Sequence, residues 1–188
     1  MFFIAVPLAS GVLRERQEGT IKRLLSFPLG KATLIAGKLI PYALVNLIQF
    51  LLMLLVGLYV VPRCSDLQFQ LGSDYGGLAL VTLAVVLSAT SFGIFVAGLS
   101  HSIEHATALS AGCIITMAAL GGIMVPLFAM PDFMQQLARL SPLYWGHQAY
   151  LDVLVREAPF NEIAPKLLVL VGISMTFGLI GTRRFRWL

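Results

Sequence analysis

Four mainly apolar runs, each close to or above the length of a bilayer crossing, dominate these 188 residues: 39–61, 76–99, 106–130 and 164–181. A spanning helix needs about 20 such residues. In lipid the backbone has no water to bond with, so each run must satisfy its own amides as a helix. Composition agrees. Apolar residues make up 58% of the chain and charged residues 12%, against about a quarter charged in soluble domains, so there is too little charge to cover a water-facing surface. The expected fold is therefore all-α, a single polytopic membrane helix bundle over 1–188. Residues 1–13 are apolar but short, and read as the lower part of a span whose start is missing.

The charges settle an expected orientation. Arg14, Arg16, Lys22, Arg23, Lys31 and Lys38 lie in the connection 14–38, and Arg183, Arg184 and Arg186 lie in the tail. The loop around 64–74 carries Asp66 and Asp74 and is bordered by one base, Arg63. Cytoplasmic loops carry the excess of Lys and Arg, so the first connection and the C-terminus are expected in the cytoplasm. Four spans separate these two points, which agrees in parity. The net charge of +4 is local to these places, and no nucleic-acid partner is expected. Cys64 and Cys113 occupy different contexts and form no disulfide or thiolate pattern.

Residues 131–160 are too polar to span and too patterned for a plain loop. Asp132 is placed to cap a short helix with Phe133, Leu137 and Leu140 on one face. Ser141 and Pro142 restart a second helix, and Tyr144 and Trp145 suit a bilayer interface. Two amphipathic helices on or dipping into the outer leaflet are expected. In the connection 14–38, Gly19 breaks a charged helix. Thr20 is placed to cap a following one with Ile21, Leu24 and Leu25 on one face and Lys22 and Arg23 on another. Physics alone leaves two roles for it: docking a partner or lying in anionic headgroups.

The string Arg14-Glu15-Arg16-Gln17-Glu18-Gly19-Thr20, then Leu24-Leu25, Phe27-Pro28 and Gly37-Lys38-Leu39, resembles the type-2 ABC transporter permeases. Met130-Pro131, Leu140-Ser141-Pro142-Leu143 and Asp152-Val153-Leu154 give a second match beyond the intervening spans. The resemblance implies the membrane permease subunit of an ATP-driven exporter in a bacterial inner membrane, with an ABC ATPase subunit and a second permease protomer, homo- or heteromeric, as partners. It places ATPase coupling on Glu15, Arg16, Glu18, Gly19, Thr20, Leu24 and Leu25. It makes 131–160 a re-entrant hairpin on the outer side. It also implies the C-terminal part of such a permease, since members usually begin with a further span.

No nucleotide site is legible. Gly30-Lys31 lacks the upstream glycine and the following hydroxyl of a phosphate-binding loop. No cofactor, resident metal or catalytic group is expected. His101-Ser102-Ile103-Glu104-His105 has the spacing of inverted zinc peptidases, but no third ligand follows before Asp132, and a polar turn explains it more simply. An ATP-independent channel or assembly subunit is the other alternative. Within the spans, Asn46, Gln49, Ser88, Ser91 and Thr116 are candidates for a substrate path, with interhelical hydrogen bonding as the plainer explanation. Gly93 with Ala97, and Gly112 with Thr116, suggest close helix contacts.

Overall fold

The computed structural model describes residues 1–20, 31–64 and 74–184. Among the described residues every regular element is helical. A 3-10 turn, Phe2–Ile4, leads into α1, Ala5–Gln17. Helix α2, Lys31–Leu55, continues through a π-helical stretch, Val56–Val60, into a last turn, Val61–Cys64. Then come α3, Tyr75–Leu99, α4, Ile103–Leu120, α5, Asp132–Ala138, α6, Pro142–Leu154, and α7, Phe160–Arg184. Four of these, α2 (over Thr33–Arg63), α3, α4 and α7, are long and apolar enough to cross a membrane. The chain is a multi-pass α-helical membrane bundle.

Helix α3 is the axis of the molecule. It packs against α1, α2, α4, α6 and most extensively α7, and most of its length is buried. Asp74 caps it by accepting from the Gly77 amide at 2.8 Å. Small residues let its neighbours come close. At Gly93 an added Cβ would stand 3.1 Å from the Ala5 Cα of α1, so α1 sits backbone to backbone on the axis. At Gly98 a Cβ would lie 2.7 Å from the Gly181 carbonyl of α7, and at Gly181 one would lie 2.8 Å from the Phe95 nitrogen. Gly93 thus serves the close contact its spacing suggested. Gly112 does not, because nothing lies within 4 Å of its would-be Cβ.

The apolar run over 1–13 packs into the bundle. Ala5, Leu8, Ala9, Val12 and Leu13 are buried in the core. The run expected over 106–130 is α-helical only to Leu120, with a further 3-10 turn at Leu127–Ala129. Gly122 takes φ +82 and the Ile123 amide reaches back to the Ala118 carbonyl at 3.3 Å, the closure that a left-handed glycine permits after a helix. At Gly121 a Cβ would meet the Tyr144 nitrogen at 3.1 Å, so the start of α6 packs on the end of α4. Ser141 begins α6 with Pro142 in its first turn. Its hydroxyl caps nothing in α6 and donates to the Met117 carbonyl of α4 at 3.1 Å. Asp132 is the first residue of α5 and not its cap; Pro131 holds that position without a side-chain bond.

Candidate functional site

Two regions hold the residues singled out by the sequence. The first is the end of α1. Arg14 and Arg16 occupy its last turn, where cations suit the negative end of the helix dipole. The Glu18 amide bonds back to the Arg14 carbonyl at 2.9 Å and the Gly19 amide to the Arg16 carbonyl at 3.2 Å, and Gly19 takes φ +73, so the chain turns away from the helix axis at that glycine. Glu18 is exposed, and Arg16, Gly19 and Thr20 are half-exposed. The Glu15 carboxylate pairs with Lys38 of α2. Pro7, Gly11 and Glu15 fall on one face of α1. Opposite them the Tyr42 hydroxyl donates to the Pro7 carbonyl at 3.1 Å and crosses over Gly11. Glu15 therefore straps the end of α1 to α2. Leu24 and Leu25 lie outside the described residues.

The second region is the polar content of the spans. Ile35, Leu39, Tyr42, Asn46 and Phe50 recur at helical spacing on the face of α2 turned to the core. Asn46 is 0% exposed, and neither of its amide atoms has a hydrogen-bond partner among the described residues. Ser88 of α3 is likewise fully buried and unbonded. These are costly groups, since leaving one buried and unpaired forfeits roughly 1–3 kcal/mol. Gln49 is half-buried. Ser91 is buried and faces Gly178 of α7. Thr116 does not join them. It is exposed on α4, its hydroxyl donating to the Gly112 carbonyl at 2.9 Å.

A charge cluster was not singled out by its residue types. Asp152 of α6 is 1% exposed and pairs with Arg156 at 2.8 Å and with Lys166 of α7. The Asp152–Arg156 spacing of four is the only sequence signal of this; the Lys166 partner comes from tertiary packing. Close by, burial holds the His147 imidazole below its ordinary range, and the Arg156 charge adds to that. The string 101–105 forms a helix start, with the Ser102 hydroxyl accepting from the His105 amide at 3.1 Å. Among the described residues no group of three or more His, Cys, Asp or Glu side chains converges as a metal site would require.

A model of the ABC-2 family transporter proteins matches residues 1–183. The chain belongs to the ABC-2 transporter family. It is 27% identical over 187 residues to the inner membrane transport permease YhhJ of Escherichia coli, covering 96% of this chain and 47% of that protein. The probable multidrug ABC transporter permease YbhR of E. coli is 24% identical over 188 residues, with 97% and 48% covered. The linearmycin resistance permease protein LnrN of Bacillus subtilis is 24% identical over 175 residues, with 92% and 42% covered. The chain thus spans about half the length of these relatives. No solved structure is significantly similar to it.

Proposed function

We propose that this ABC-2 chain is the membrane permease part of an ATP-driven exporter in a bacterial inner membrane, acting with an ABC ATPase subunit and a second permease protomer. The observation that carries the reading is the position of α1. The helix that bears the exposed Glu18 and turns at Gly19 is itself core, packed on α3 and α4. A push on the segment that follows it reaches the axis of the bundle directly. The Glu15–Lys38 pair makes α2 follow the same movement. ATPase contact then falls on Arg16, Glu18, Gly19, Thr20, Leu24 and Leu25, with Glu15 acting from inside the permease. Arg14 and Arg16 in the last turn of α1 and Arg183 and Arg184 in the last turn of α7 support a cytoplasmic location for both segments. Asn46, Gln49, Ser88 and Ser91 are proposed for the substrate path, while Thr116 stands apart on the outer face of α4. The names of two relatives, one multidrug and one linearmycin resistance, support a drug-like cargo.

The experiment is a mild-detergent purification from native membranes, with mass spectrometry of co-eluting proteins, on the parent and on Glu18→Lys with Leu24→Asp. A nucleotide-binding ATPase is expected with the parent and lost from the double variant. An ATPase retained by the variant would move the docking site elsewhere, and none with either would overturn the exporter reading.

A further inference from the structure

A groove of about 510 Å³ runs along the side of the bundle between α2, α3 and α7. Its volume is within the range of sites for small organic ligands. Leu39, Leu87, Ile94 and Leu179 give it apolar walls, and Ser91 and Ser174 line it as well. Met175 and Leu179 at its rim are 61% and 57% exposed, so it opens on the lipid-facing flank.

The two serines set it apart from a mere packing defect. Threonine hydroxyls in these helices donate to a carbonyl of the preceding turn. Thr82 and Thr90 do so to Leu78 and Val86, and Thr107 and Thr176 do so to Ile103 and Ile173. Ser91 and Ser174 are 6% and 2% exposed, yet among the described residues neither has a hydrogen-bond partner. Helices α3 and α7 run in the same direction, because Ser91 meets Gly178 while Phe95 meets Gly181 further along both. Ser174 is therefore one turn from the level of Ser91. Two donors without acceptors, Ser91 and Ser174, therefore line one groove.

We propose that this groove binds a neutral lipophile carrying a hydrogen-bond acceptor, such as a carbonyl or ether oxygen, partway along its length. Depth selects this occupant over a bilayer phospholipid. Ser91 and Ser174 lie roughly 12–15 Å from the C-terminal ends of their helices at 1.5 Å per residue. That is close to the middle of a hydrocarbon core about 30 Å thick. A phospholipid has only methylene and methyl groups at that depth, and its ester oxygens sit near the surface. A molecule that dissolves in the membrane and carries its oxygen inward satisfies the serines and fills the apolar walls together. The site names a ligand class for the proposed transporter and rests on that reading for its part in export, whereas binding itself needs no ATPase.

The test uses the protein in vesicles of its native membrane and two photoreactive probes, a long-chain dialkyl ketone bearing a terminal diazirine and its all-methylene counterpart. Crosslinks are mapped by mass spectrometry. The ketone is expected to label α3 and α7 peptides about fivefold more than the hydrocarbon, the equilibrium weight of one net hydrogen bond. Ser91→Ala with Ser174→Ala is expected to erase that preference while leaving hydrocarbon labelling unchanged, which also shows that the groove is still formed. Equal labelling by both probes in the parent, or a preference that survives the double substitution, would overturn the site. A phospholipid probe labelling the same peptides as strongly as the ketone would do the same, marking the groove as ordinary lipid contact. If the ATPase co-purifies but the preference is missing, the site fails and the exporter stands. The converse pair of results fails the exporter and keeps the site.

Discussion

Asp152 is a buried carboxylate with two cationic partners of unequal standing. Lys166 comes from another helix and has a side chain 22% exposed, while Arg156 is 55% exposed and sits four residues away on the same chain segment. Exposed pairs contribute little, so the interhelical pair is the one that matters to stability. Removing the carboxylate strands two cations at once. Asp152→Asn is expected to cost roughly 1–3 kcal/mol in thermal unfolding of the detergent-solubilised protein. Arg156→Gln, removing the solvated partner, is expected to change the midpoint little. An Arg156 variant as damaged as the Asp152 variant would mean that the local pair, and not the tie to α7, holds this corner. The sequence showed Asp152 only as part of a motif and an i,i+4 pair; its burial depends on α7 passing over it. Glu15 is the mirror case. By residue type it looked available to a partner chain, and only the approach of α2 showed that Lys38 already holds it.

At the scale of elements, the glycines divide by neighbour rather than by spacing. At the crossing of α3 and α7 a methyl on Gly98 would lie against the Gly181 backbone carbonyl, and a backbone atom has no rotamer by which to yield. Gly98→Ala is expected to force the helices apart and cost about 1–3 kcal/mol. Gly112→Ala meets open space in a helix interior, where alanine is favoured over glycine by about 1 kcal/mol, so it is expected to be neutral or mildly stabilising. Thermal unfolding of both variants checks the pair, and a Gly112 variant as impaired as the Gly98 variant would show that α4 is covered by something outside this chain. Period and hydropathy made the existence of the spans legible, but their ends were less so. Helix α4 stops at Leu120 because Gly121-Gly122 close it, though apolar residues continue to Met130, and hydropathy does not register a left-handed glycine. Helix α2 overruns its expected bounds of 39–61 for the converse reason. Its polar flanks remain helical, giving 31 residues over Thr33–Arg63, roughly 46 Å at 1.5 Å per residue and longer than the hydrocarbon core.

For the whole molecule, the compartment that each end of the bundle faces has a direct test. In a chain with Cys64→Ser and Cys113→Ala, single cysteines at Gln17 and at Glu157 report on opposite ends. A membrane-impermeant thiol reagent added to intact cells is expected to label Glu157→Cys and spare Gln17→Cys, with both labelled once the membrane is opened. The reverse pattern would invert the proposed topology and remove the segment after α1 from reach of a cytoplasmic ATPase. The sequence by itself determined the all-helical bundle, the runs that cross the membrane and the charged segments flanking them. Those properties follow from transfer energies and helix period, which act residue by residue and leave their mark in composition. The family was also legible, in two separated strings. What only the tertiary structure decided was which helix became the axis, which glycines are crossings, which charges are already paired and which hydroxyls are left without partners. These depend on residues far apart in the chain meeting at ångström distances, and no local pattern encodes whether such a partner is present.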